Sequence, residues 1–143
     1  MKKTLTAFLL FCSVACAQQT DEKNQPPVSV EKVKTDTLCN FCTVSPQEFN
    51  NRTQNEPGQL VDVRTPGEVA NGKLKGSVNY DYNGSDFKNQ MQKIDKNTTV
   101  YVYCAGGGRS AKAMEWMKTN GFVSVVNLDG GINSWIENQL PVE

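Results

Sequence analysis

The chain has no histidine in its 143 residues. That absence removes the Cys–His dyad, the Ser–His–Asp triad and every histidine-ligated zinc site from the mechanisms open to it. Long apolar runs are missing too: the stretch from Leu5 to Ala15 is too short for a comfortable membrane span. There is no internal repeat and no low-complexity block. Net charge is also absent, because 15 basic residues balance 15 acidic ones, so neither a nucleic-acid groove nor a basic membrane face is implied. A nucleophilic cysteine in this chain would therefore have to be activated by its own loop.

The N-terminus reads as an address. Met1-Lys2-Lys3 followed by the apolar stretch makes residues 1–17 an export signal. Two cleavage readings compete at its end. Ser13-Val14-Ala15-Cys16 resembles a bacterial lipoprotein box, with Cys16 lipidated as the new N-terminus; Ala15-Cys16-Ala17 fits ordinary signal peptidase, releasing a soluble chain from Gln18. Either way the expected location is the bacterial cell envelope, periplasmic or membrane-anchored, with a lipid at Cys16 as the sole membrane contact. Lys2 and Lys3 are the only charges removed, which leaves 13 basic and 15 acidic residues and a mature charge of about −2. Residues 18–36 are polar, contain Pro26-Pro27 and read as a disordered linker. One domain follows, over residues 37–143.

Within it, Leu38 to Val44 suggests a first strand, and Ser45-Pro46-Gln47-Glu48 supplies an N-cap, a first-turn proline and a first-turn acid. Leu60 to Val63, Thr99 to Tyr103 and Phe122 to Leu128 read as further strands. Helices are expected from Asp86 to Ile94, with Phe87, Met91 and Ile94 on one face, and from Ser110 to Asn120, with Ala113, Met114, Trp116 and Met117 inward. Strands alternating with short helices define an α/β fold, a parallel central sheet with helices on both faces and its site at the carboxyl ends of the strands. Cys39 and Cys42, spaced Cys-x-x-Cys, have three readings in an exported protein: a local disulfide, a reduced buried pair, or a redox or sulfur-relay partner for another cysteine. As half of a metal site they lack a second half.

The chemistry centres on Cys104-Ala105-Gly106-Gly107-Gly108-Arg109-Ser110, between a strand and a helix. A cysteine there faces the free N–H groups and the positive dipole end of the helix, which favours its thiolate. Consecutive glycines let the loop curl so that its N–H groups point inward as an anion nest. Arg109 adds a positive charge suited to an oxyanion. Ser110 is either a further donor or a helix cap.

This loop resembles that of the single-domain rhodaneses, sulfurtransferases whose active loop is a cysteine, four residues and an arginine. Related phosphatases and arsenate reductases use a loop one residue longer, so loop length argues for sulfur. Asp62 and Arg64 also match the family's Asp-x-Arg at a strand end before a Thr-Pro-x-Glu helix, and their expected role is structural support of the loop. Gly130-Gly131, Ile132 and Trp135 match its ending. Three positions depart: Ala105 replaces the basic residue of many thiosulfate users, Lys73 the usual histidine and Lys75 the usual proline.

The resemblance implies a nucleophilic Cys104 that takes a sulfane sulfur from thiosulfate or a similar small donor and passes it to cyanide or a thiol. The N–H groups of Ala105, Gly106, Gly107, Gly108 and Ser110 would cradle the substrate and Arg109 would clamp it. No metal or organic cofactor is needed, and a monomer is expected. Two other classes stay open: a sulfur-carrier, sensor or binding module with little turnover, and a thiol redox protein using Cys39 and Cys42.

Overall fold

A computed structural model describes residues 39–143. The residues read as an export signal and a linker, with Cys16 among them, lie outside the described residues. The elements run β1 (Phe41–Val44), α1 (Pro46–Asn55), β2 (Gly58–Asp62), α2 (Pro66–Val69), β3 (Val78–Asn79), α3 (Phe87–Met91), β4 (Thr99–Tyr103), α4 (Gly108–Thr119), β5 (Ser124–Leu128) and α5 (Gly131–Glu137). The strands form one parallel sheet in the order β1-β5-β4-β2-β3. Parallel neighbours need crossovers, and the helices supply them on both faces.

The central strand shows how one sequence serves two faces. Val100, Val102 and Cys104 point to the side covered by α3 and α4, where Phe87, Met91, Ala113 and Met117 close the core. Tyr101 and Tyr103 point to the other side, under Phe49 of α1 and Ile132 and Trp135 of α5. Both sets alternate at the strand period of two, yet every position is buried, so the run reads as continuously apolar. Tyr103 keeps its hydroxyl satisfied by the Leu74 N–H at 3.1 Å and by Ser77 Oγ at 2.9 Å.

Local signals account for most boundaries. Ser45 caps α1 with Pro46 at its first position, and Thr65 and Glu68 form a reciprocal capping box around the single turn of α2. Gly121, at φ +84°, ends α4 in the left-handed region. Phe87, Met91 and Ile94 are all buried, although the regular helix there stops at Met91. Among the described residues the first strand begins at Phe41, after a bend at Asn40; the expected start at Leu38 lies outside them. The last begins at Ser124 rather than Phe122, since Phe122 turns back to pack against Trp116. Near the C-terminus, Lys73 and Glu143 exchange two backbone hydrogen bonds of 2.9 Å and tie the chain end to the loop before β3.

Phe49 lies fully buried, edge-on to Tyr101 at 5.7 Å and to Trp135 at 6.3 Å between ring centroids. It joins α1, β4 and α5 on one face of the sheet. Phe49→Ala should cost about 3–5 kcal/mol of unfolding free energy in a urea titration. A loss under about 1 kcal/mol would show that this face can close without it.

Candidate active site

Cys104 follows the last residue of β4 and is only 1% exposed. A sulfur this deep needs donors, and the loop provides them. The Gly107 N–H reaches Sγ at 3.1 Å and Ser110 Oγ lies at 3.4 Å, also 3.0 Å from the Gly107 carbonyl. The hydroxyl has one proton, and a thiolate competes for it better than a carbonyl does. Burial pushes the Cys104 thiol up, but the Ser110 hydroxyl and the N–H groups of Ser110, Arg109 and Gly107 together outweigh it and hold the thiol below its ordinary value. Gly107 makes the curl by taking φ +89°, and α4 starts at Gly108, two residues before the expected Ser110.

A loop whose N–H groups face inward must turn carbonyls outward. The carbonyls of Cys104 and Ala105 accept from the N–H groups of Ile132 and Asn133 at 2.8 and 3.1 Å, the first turn of α5. This contact requires Gly131: a Cβ there would run into both carbonyl oxygens, and its φ is +61°. In the sequence Gly130 and Gly131 stand only as a match to the family's ending. The structure makes them the seat of the active loop.

The charged residues form a relay of contacts. Arg64 grips the buried Asp62 through Nε and Nη2, and its remaining donors hold the carbonyls of Glu68 and Gly72 at 3.1 and 2.7 Å. Glu68 is thereby placed beside the loop, where its carboxylate meets both terminal nitrogens of Arg109 at 2.6 and 2.7 Å. Those hydrogen bonds pull the Glu68 carboxyl down to about 2, against the opposing effect of burial and with help from Thr65. Glu68 was not among the residues expected at the site. Its one cue in sequence is the Thr65-Pro66-Gly67-Glu68 capping pattern.

Cys39 and Cys42 are joined in a disulfide across the bend at Asn40, with Cα atoms 5.9 Å apart. Cys42 aligns with Val126 and through it with Tyr101, three residues short of Cys104. Two strand spacings and three residue rises put the two Cα atoms about 14 Å apart. Cys42 packs on the α1 and α5 face, whereas Cys104 lies in the opposite core. The sheet stands between them, so direct sulfur or disulfide exchange between Cys42 and Cys104 has no path in the folded domain.

A parallel α/β domain with a buried, donor-wrapped cysteine at a strand end has the parts that nucleophilic thiol chemistry requires. The chain belongs to the rhodanese-like domain family, whose model matches residues 45–138. β1 and the disulfide precede that match. The chain is 35% identical over 83 residues to a sulfurtransferase from Allochromatium vinosum, covering 58% of this chain and 76% of that protein. It is 33% identical over 103 residues to the tRNA uridine(34) hydroxylase of Picosynechococcus sp., covering 69% of this chain but 34% of that protein. Among solved structures, a rhodanese-related protein from Thermoplasma volcanium superposes with a TM-score of 0.64 at 28% identity, covering 72% of this chain and 98% of that one.

Two substitutions probe this geometry. Gly131→Ala should slow the reaction of Cys104 with a sulfur donor by about a hundredfold, with the far-ultraviolet circular dichroism unchanged. An unaltered rate would show that α5 does not seat the loop. Ser110→Ala removes a donor to the thiolate, so the pH midpoint for Cys104 reactivity should move upward, leaving less thiolate at neutral pH. Helix capping is no longer open to Ser110, since it lies inside α4 and Gly107 is the N-cap, so a midpoint that stays put or falls would leave its hydroxyl with the Gly107 carbonyl alone.

Proposed function

We propose that this chain is a sulfurtransferase that carries a sulfane sulfur on Cys104. The thiolate attacks the outer sulfur of a donor such as thiosulfate, the donor's S–S bond breaks, and sulfite leaves with the electron pair. Cys104 is then a persulfide, and inward N–H groups of the loop hold its terminal sulfur. In the second half, cyanide or a thiol attacks that terminal sulfur and the Cys104 thiolate departs, restoring the starting state. No histidine and no cofactor is needed for either step, because the thiolate is held ready by the loop.

The observation that carries this reading is the convergence of the Gly107 N–H and Ser110 Oγ on a buried Sγ. Family membership and the similarity to a sulfurtransferase support it. The export signal read in residues 1–17 supports action in the cell envelope. A second reading is a sulfur carrier with little turnover, favoured by Ala105 in place of a basic residue and by the pairing of Arg109 with Glu68. In that case Cys104 would load with sulfur but release it only to a protein acceptor.

Intact mass spectrometry of the protein before and after a sulfur donor separates these readings. Wild type should gain the mass of one sulfur atom, Cys104→Ser should not, and cyanide should discharge it repeatedly. Loading without discharge to cyanide or small thiols would favour the carrier. No loading from thiosulfate or from a persulfide would end the sulfurtransferase reading.

A further inference from the structure

Apart from Cys104 itself, Arg109 is the only charged side chain between Cys104 and Ser110. Its charge is not free. Glu68 Oε2 takes Nη1 at 2.7 Å and Oε1 takes Nη2 at 2.6 Å, end-on and bidentate. The carboxylate is itself fastened, since the Thr65 N–H and Oγ1 both donate to Oε2, at 2.9 and 2.8 Å. The backbone under it is fastened as well, through the Glu68 carbonyl to Arg64 and from Arg64 to the buried Asp62. With side chains 24% and 35% exposed, the Arg109–Glu68 pair is a fixed part of the site wall.

The net charge met by an incoming donor follows directly. The Cys104 thiolate contributes −1, Arg109 +1 and Glu68 −1, a sum of −1 for the three. Ala105 adds no compensating cation. Arg109 nevertheless keeps its Nε–H and one N–H on each terminal nitrogen as hydrogen-bond donors. Arg109 thus offers directed hydrogen bonds with its own monopole cancelled by Glu68.

We propose that Glu68 is a specificity-determining residue: by neutralising Arg109 it makes Cys104 favour sulfur donors with one negative charge or none at their sulfur end, such as the persulfide of a small thiol, over dianionic thiosulfate. The inference rests on the sulfurtransferase reading of Cys104. With a persulfide R–S–SH, the thiolate bonds to the outer sulfur, the donor's S–S bond breaks, and R–S⁻ leaves with the electron pair. Cys104 becomes Cys–S–SH, and one negative charge is present before and after. With thiosulfate, the same attack must bring a dianion to a site already at −1 and expel sulfite as a dianion. Like-charge approach in a partly desolvated site penalises that route.

The test compares two donors on one protein. Rates of persulfide formation at Cys104 are measured for cysteine persulfide and for thiosulfate, on wild type and Glu68→Gln. Glutamine keeps the shape and the one oxygen that the Thr65 capping box uses, and loses the charge together with the second acceptor that holds Arg109. Wild type should favour cysteine persulfide. In Glu68→Gln the ratio of thiosulfate to cysteine persulfide rates should rise by about tenfold, because Arg109 regains its net charge. The thiosulfate rate should also become more sensitive to added salt. The ratio is insensitive to any loss of folded protein, since both donors meet the same sample. A ratio unchanged by the substitution, or a wild type that favours thiosulfate, would overturn the proposal. Absence of sulfur on Cys104 from either donor would instead overturn the sulfurtransferase reading, and this inference with it.

Discussion

A buried sulfur anion is unstable unless donors surround it, and in a chain without histidine the backbone has to provide most of them. That requirement dictates the shape of the loop after β4. To aim N–H groups at Cys104, the chain must curl through a left-handed glycine at Gly107. The same curl drives the carbonyls of Cys104 and Ala105 outward, where they meet the open N–H groups at the start of α5. Each unsatisfied group thereby meets its complement. The two glycines before α5 are the steric condition for that meeting, and the parallel strands β4 and β5 carry the two loops to the same end of the sheet.

The second layer of the site is electrostatic and starts farther away. A buried Asp62–Arg64 pair is costly by itself, yet here Arg64 has further partners in two backbone carbonyls and so fixes the path of α2. This gives Glu68 its position, and Glu68 gives Arg109 its orientation. Four charged side chains thus link β2 to the active loop across a sequence separation of more than forty residues between Glu68 and Arg109. Their sum is zero, which leaves the thiolate as the uncompensated charge of the group.

Much of this was legible before any coordinates. The apolar run at Thr99–Tyr103, the glycine loop and the amphipathic stretch behind it announce a strand, a nest and a helix, because each depends on local spacing. The pattern at Thr65-Pro66-Gly67-Glu68 announces a helix start for the same reason. What local spacing lacks is a partner. Nothing near Glu68 says that its carboxylate faces Arg109, and nothing near Gly131 says that a carbonyl from β4 fills the space where its Cβ would be. The strand order is likewise set by which apolar faces fit together, not by any one segment. Cys39 and Cys42 show the limit from the other direction: their spacing allowed several roles, and only the register of β1 on β5 and of β5 on β4, with Cys42 and Cys104 packed on opposite faces, reveals that the sheet stands between Cys42 and Cys104.

The central claim is that the loop alone, with no general base, favours the Cys104 thiolate and holds its titration below that of an ordinary cysteine. Its most direct measurement is the ultraviolet absorbance of the Cys104 thiolate across a pH titration of the oxidised protein, taken as the difference between wild type and Cys104→Ser. The account predicts a midpoint below that of an ordinary cysteine, about 8.5, with the thiolate signal lost only as the pH falls through that lowered value. A midpoint at or above the ordinary value would contradict it, because burial would then have outweighed the donors that the loop is shaped to provide.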